Sequence, residues 1–215
     1  MKLGELSKAS GVSRASIKFY LREGLLAPGR KKNATLAHYT PRHLDRLRLI
    51  AALRDVVGAS LPQIRALTEL IDDPEVPLPR VLERAQLTGL GEPAGGAEGS
   101  PAAGRRVDEI IAGRNWPDLP SEARKAVARH LDAMSALGLG VSDGLIEAYV
   151  RAAEIAAAAE INRSVSENRD AAALTVAVGV HSHTQLLLRT VALAQASLTL
   201  RHFGESGAPG TEAGE

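Results

Sequence analysis

The feature that most restricts the fold is the short break in "KASGVSRASIKFYLREG". Leu3 to Ala9 carries a short helical pattern that Gly11 ends. Ser13 then reads as an N-cap, and Val12 and Ile17 stand at the two positions of a hydrophobic staple. The second helix is predicted from Arg14 to about Glu23, with Gly24 as its stop. Two short helices joined by a turn this tight form a helix-turn-helix.

The rest of the chain is read from the same kinds of signal. Leu25 to Tyr39 holds Pro28-Gly29 and no helical period, so it reads as a hairpin or extended loop, a wing. Thr40-Pro41 opens a third helix with proline at its first position, and Gly58 ends it. Leu44, Leu47, Ile50, Ala51 and Val57 keep mostly to one face. Ser60 and Gln63 form a capping box for a fourth helix with Ile64, Leu67 and Ile71 as its buried stripe. "DDPEVPLP" is too rich in proline to continue it. A short helix near 80–88 precedes "GLGEPAGGAEGSPAAG", residues 89–104, which reads as a flexible linker. Beyond it the chain is Ala-rich, with helices predicted near 105–113, 121–137, 142–163 and 169–203. The expected architecture is mainly α. A winged helix-turn-helix domain (1–72) leads through a Pro/Gly-rich linker with a short helix (73–104) to an all-helical domain (105–215). A chain cut after residue 104 is expected to keep a folded head.

Charge separates these parts. The 215 residues carry a net charge of +1, yet residues 1–60 hold 12 Lys/Arg against 4 Asp/Glu. A basic head on a mildly acidic body points to a polyanion met by the head alone. There is no cysteine, which excludes thiolate metal sites, iron–sulfur clusters and disulfide switching. No apolar leader follows Met1 and no run of about 18 apolar residues occurs. The expectation is a cytoplasmic protein without a membrane span.

Arg14, Lys18 and Arg22 are four residues apart and make one cationic stripe on the second helix, with Phe19 beside it. Ile17 and Leu21 lie where they can pack on the first helix. A recognition helix needs this arrangement: cations for phosphates and guanine edges, an apolar group for a thymine methyl, and an anchored back face. On an isolated solvated helix the same stripe would mean little. Here it follows a helix-turn-helix signal and precedes Arg30-Lys31-Lys32.

"LGELSKASGVSRASIKFYLREGLLAPGR" and "HYTPRHLDRLRLIAALRDVVGASLPQIRALTELID" resemble the winged helix-turn-helix domain of the MerR family of transcription regulators, over about residues 1–72. The resemblance implies double-stranded promoter DNA as a partner, with the aromatic pair matched by Phe19-Tyr20 and the basic position matched by Lys18 lying at the DNA. It also implies that the wing reaches the phosphate backbone. The DNA-facing set is then Ser13, Arg14, Ser16, Lys18, Phe19, Tyr20 and Arg22 with the wing's Arg30, Lys31, Lys32, His38 and Tyr39. Phosphate contacts set affinity and register, while Arg14, Lys18 and Phe19 are better placed for sequence choice.

The chain departs from the family pattern in three places. The usual Gly-Tyr-Arg run of the wing is replaced by Thr35-Leu36-Ala37-His38-Tyr39, so the wing arginine is missing. Phe19 has no hydroxyl for a phosphate. Pro74, Pro77 and Pro79 interrupt the place where family members carry a long dimerisation helix. A homodimer is still implied, because paired half-sites suit a two-fold protein. Leu186, Leu187, Val191, Leu198 and Leu200 are candidates for its interface, or for an intramolecular core.

In the family, the region after the DNA-binding part senses an effector and sets the shape of the DNA. The absence of cysteine removes the thiolate type of metal sensor. His181 and His183 do not share a helix face, so no metal is expected and no cofactor is assigned. A small-molecule effector between Ala-rich helices would draw on Trp116, His130, Tyr149, His181 and Arg189. No nucleophile–base spacing or phosphate loop suggests an enzyme. By resemblance the dimer distorts an overlong promoter spacer so that RNA polymerase engages both elements, with repression by occlusion equally open. The alternative is a non-specific architectural DNA-binding protein, with a steep salt dependence and little sequence preference.

Overall fold

The computed structural model describes residues 1–31, 37–93, 95–117, 121–160, 166 and 168–205. α1 (Leu3–Ser10) ends at Gly11, whose φ of 72° lies in the left-handed region that an L side chain resists. The Ser13 hydroxyl accepts the Ser16 N–H at 3.0 Å and so caps α2 (Arg14–Arg22). Leu6, Val12 and Ile17 are buried where the two helices meet. β1 (Arg30–Lys31) and β2 (Ala37–His38) pair antiparallel, Arg30 opposite His38. α3 (Pro41–Ala52) runs on into a π-helical turn, Leu53–Val57, that Gly58 closes at φ 73°. α4 (Leu61–Asp72) starts with the expected capping box, the Ser60 N–H donating to Gln63 Oε1 at 2.9 Å.

After the proline-rich turn come α5 (Leu78–Gly89), α6 (Pro101–Gly113), α7 (Glu122–Ala136), α8 (Asp143–Glu160) and α9 (Arg169–Glu205). The chain is mainly helical, as expected, with the two-stranded wing as its sheet among the described residues. Predicted helix ends differ by a few residues. Residues 161–163, assigned to the eighth helix, lie outside the described residues.

The main core crosses the expected domain boundaries. Leu6, Ile17, Leu47, Leu67 and Val81 share one cluster with Ala173 and Ala177 near the start of α9. α5 and α9 touch closely: a Cβ on Gly89 would stand 2.4 Å from the Ala177 carbonyl oxygen. Small residues on both helices permit that approach. The head therefore does not close on itself at residue 72 or 104; the first turns of α9 complete it.

A buried charge network marks the same junction. Arg46 is 5% exposed and Asp170 is 2% exposed. Arg46 Nε donates to Asp170 Oδ1 at 2.5 Å, its Nη2 and Nη1 to the Asp72 carboxylate at 2.7 and 3.0 Å, and Nη1 also to the Leu25 carbonyl at 3.2 Å. Burial disfavours the charged guanidinium, but the hydrogen bonds and charges of Asp72 and Asp170 outweigh it and hold Arg46 above its ordinary value. Arg169 adds bonds to the carbonyls of Leu70, Asp73 and Val76, where α4 ends.

The stretch expected to be a flexible linker is built into the structure. Residues 101–104 already belong to α6, capped by Ser100, which accepts the Ala103 N–H at 3.2 Å. The Ser100 N–H and hydroxyl donate to Asp132 of α7 at 2.6 and 2.7 Å, and Arg129 holds the Ala97 carbonyl at 3.0 Å. A Cβ on Gly99 would lie 2.6 Å from the Ala128 Cβ. The glycines allow a strap to lie tight on α7, where composition alone suggested slack. Beneath it α6 and α7 share a small apolar cluster among the described residues: Ala103, Val107 and Ala128, with Ile111 and Leu131 against it.

Candidate nucleic-acid interface

α2 is the element around which the basic head is organised. Its inner side is fixed by Ile17 and Tyr20, 0% and 3% exposed. Arg54 Nη1 donates to the Tyr20 hydroxyl at 2.7 Å, and Arg65 Nη1 donates to the Glu23 carbonyl at 2.7 Å. Arg54, after α3, and Arg65, on α4, thus brace α2 from behind. The opposite side carries Arg14, Lys18 and Arg22, all exposed. Three guanidinium and ammonium groups along about two turns face solvent together, as the four-residue spacing requires.

Phe19 is half-buried. The Arg22 guanidinium lies 5.3 Å from the centre of its ring, and the Tyr20 ring meets it edge-on at 5.7 Å. Arg22 also approaches Glu23 at 3.7 Å, an exposed pair of little energetic consequence. Ser13 and Ser16 share a hydroxyl–hydroxyl bond of 2.9 Å at the N-terminus of α2, where backbone N–H groups suit a phosphate.

Two of the residues expected at the DNA are buried in this structure. Tyr20 is behind the surface, its hydroxyl taken by Arg54, and Tyr39 is 7% exposed. Packing of the helix and of the wing's return excludes their rings from solvent. Tyr39 is further tied by its N–H to the Met1 carbonyl and by its carbonyl to the Met1 amino group, each 2.8 Å. Its ring edge also lies against Gly29, where a Cβ would stand 3.0 Å from the ring.

Arg30 and His38, paired across the wing, are exposed. Lys31 contributes its backbone to β1; its side chain and all of Lys32 lie outside the described residues. Sequence reasoning missed Arg54 and Arg65, whose contacts with Tyr20 and Glu23 span 34 and 42 residues and leave no local signal. It also missed His43. The His43 Nδ1 accepts the Thr40 N–H at 3.1 Å, completing the cap of α3 beside the Tyr39 ring. Burial holds this imidazole below its ordinary value, partly offset by the Pro28 and Ala27 carbonyls of the wing.

The five residues suggested for an effector do not converge. Trp116 Nε1 donates to Glu154 at 3.1 Å, His181 Nδ1 contacts the Gly89 carbonyl at 3.2 Å, and Arg189 bonds Gln185 on its own helix. His130 and Tyr149 are exposed. His183 Nδ1 pairs with Glu160 at 3.2 Å, so the two imidazoles of "HSH" serve different neighbours. A cavity of about 380 Å³ lies instead between α4, α5 and α7. Leu70, Val76, Pro77 and Leu87 line it, with Arg84 and Glu122. Arg84 is 6% exposed and donates to the Glu92 carbonyl at 2.8 Å.

Comparison with known proteins agrees with this geometry. Residues 1–70 match the MerR HTH family regulatory protein family. The transcriptional regulator CueR of Vibrio cholerae is 34% identical over 86 residues, 40% of this chain and 61% of that protein. A ZntR homolog of Haemophilus influenzae is 34% identical over 70 residues, 33% of this chain and 51% of its own. Heavy metal-dependent transcription regulator 2 of Rhizobium meliloti is 36% identical over 73 residues, 34% and 49%. The chain thus spans roughly half to three-fifths of the length of these relatives. The crystal structure of SCO5550 from Streptomyces coelicolor A3(2), a candidate transcriptional regulator, superposes with a TM-score of 0.63 at 29% identity. It covers 95% of this chain and 98% of that one.

Proposed function

We propose, from the premise that residues 1–70 are a MerR-family helix-turn-helix domain, that the protein is a sequence-specific transcription regulator acting on promoter DNA as a homodimer. The observation that carries this reading is the row of exposed cations, Arg14, Lys18 and Arg22, on a capped helix whose other side is locked into the core. α2 enters the major groove, and the wing lays Arg30 and the lysines after it along the phosphates. Ser13, Ser16 and His38 add polar contacts at the margins.

The coupling of the head to the rest of the chain supports an effector-responsive protein. The 380 Å³ cavity falls in the size range of small-molecule sites and lies where the DNA-binding core meets α7. Arg46, in contact with Asp170 of α9 and with the Leu25 carbonyl at the base of the wing, is the route from one part to the other. Activation by distorting a promoter spacer for RNA polymerase and repression by occlusion share these parts.

Selection of random duplex DNA by the full-length protein, followed by footprinting, tests the reading. Enrichment of an inverted repeat is expected, and its place relative to promoter elements separates activation from occlusion. Failure of any motif to enrich would remove sequence-specific regulation and leave an architectural role.

A further inference from the structure

Arg46 and Arg84 are the buried arginines among the described residues, and their surroundings differ. Arg46 touches two carboxylates and is held above its ordinary value. Arg84, 6% exposed, forms no ion pair with a carboxylate among the described residues. Its Nη2 donates to the Glu92 carbonyl at 2.8 Å, its Nη1 to the Pro93 carbonyl at 3.2 Å and its Nε to the Thr88 hydroxyl at 3.4 Å. These neutral oxygens use part of the guanidinium's donor set and leave its charge without a counter-ion. Burial pushes Arg84 below its ordinary value, and the charges of Glu122, Glu83 and Glu92 only partly offset it. A buried cation in this position is costly until an anion meets it.

Arg84 is also one of the residues that line the cavity of about 380 Å³ between α4, α5 and α7. Leu70, Val76, Pro77 and Leu87 give that cavity an aliphatic wall, and no aromatic ring stands among its described lining residues. The inner acids are already committed. Glu83 accepts the Glu122 N–H at 2.8 Å with one oxygen and pairs with Arg80 at 2.7 Å through the other, and Glu122 pairs with Lys125 at 3.3 Å. Glu75 stands at the exposed rim. The cavity lies where two apolar clusters stop short of each other. Val81 and Ala85 of α5 belong to the main core, and Ala128 of α7 belongs to the separate cluster it forms with α6. Glu83 at the Glu122 N–H and Glu92 at Arg129 are polar bridges across this seam. An apolar body in the cavity adds the contact that the two clusters do not make with each other.

We propose that this cavity binds a small molecule with an aliphatic body and a carboxylate head, the carboxylate supplying the counter-ion of Arg84 and the body lying on Leu70, Val76, Pro77 and Leu87. This rests on the effector-responsive reading above and gives it a ligand class. A guanidinium takes a carboxylate through parallel charge-assisted hydrogen bonds, stronger than those it makes to carbonyls. A cationic ligand would meet Glu75 at the rim but the like charge of Arg84 in the wall. The seated molecule touches α4 and α5 of the DNA-binding core and the start of α7 together, so its binding fastens the α6–α7 layer to that core.

The test is calorimetric titration of the full-length chain with three probes of one shape: octanoate, octan-1-ol and octylamine. Octanoate is expected to bind saturably and on the order of tenfold tighter than octan-1-ol, the gain that hydrogen bonds to a charged group supply. Arg84→Met is expected to bring these two probes to equal affinity while octan-1-ol still binds. Val76→Phe, which fills the cavity, is expected to weaken both, and it decides the matter where Arg84→Met unfolds. Octylamine as the tightest probe, octanoate binding that Val76→Phe leaves untouched, or no saturable binding of octanoate overturns the proposal. Anisotropy titration of the selected duplex with and without octanoate separates the site from the reading it rests on. A shift in DNA affinity that Val76→Phe abolishes supports both. Saturable octanoate binding with unchanged DNA affinity supports the site and removes its effector role. Specific DNA binding without octanoate binding removes the site and leaves the regulator.

Discussion

Neighbouring residues on α2 have opposite roles, and one turn of helix decides which. Lys18 points to solvent while Tyr20 is locked against Arg54. Lys18→Ala is expected to weaken binding to a selected site by about 1–3 kcal/mol and to narrow the gap between good and poor sites, measured by anisotropy titration. Tyr20→Phe removes only the hydroxyl that Arg54 holds. It is expected to lower stability to denaturant by about 1 kcal/mol while leaving sequence preference unchanged. His43 adds a pH dependence. Its neutral ring accepts the Thr40 N–H, and burial lowers its affinity for a proton, so the unfolded chain protonates first on acidification. Stability from this group is full above the ordinary histidine value of about 6.5 and is lost as pH falls from there toward the lowered folded value. The melting temperature should drop between pH 7 and 5.5, and less in His43→Gln, which keeps a capping side chain. At this scale the cationic stripe was legible because i, i+4 spacing is a local property. The burial of Tyr20 and Tyr39 was not, since it depends on Arg54 and Met1, which are distant in sequence.

Elements were legible where they carry their own punctuation. Ser13, Pro41, Ser60 and Gly58 mark helix ends chemically, and the structure places helix starts and stops beside them. The segment 89–104 carries punctuation too, but of a kind with two meanings. Glycine permits both slack and close contact, and only the neighbouring surface of α7 decides between them. Gly89 is the sharpest example, since its missing side chain admits the Ala177 carbonyl. Gly89→Ala should push α9 off α5 and destabilise the protein by about 1–3 kcal/mol, seen as a lower denaturant midpoint. In Gly58, whose surroundings are open, the positive φ alone carries the constraint.

The molecule as a whole is closed by contacts that no local pattern announces. Ala173 and Ala177 read as generic helix residues, yet they finish the core of the DNA-binding head. A fragment ending near residue 104 loses them and strands Arg46 without Asp170, so it should be markedly less stable than the full chain. Breaking one partner of a buried pair costs about 3–5 kcal/mol. Thermal unfolding of the two chains side by side measures the difference, and equal midpoints would show that α9 only leans on the head. In the reading proposed here, the same closure would tie DNA binding to the outer helices and give a dimer and an effector site a path to the wing. The most direct measurement of the central claim is competitive binding of the full-length protein to its selected inverted repeat and to a shuffled duplex of equal length, at one fixed salt concentration. Sequence-specific regulation predicts at least a thousandfold preference, of order 10³ or more. A ratio near one, with affinity for both duplexes falling together as salt rises, would contradict it.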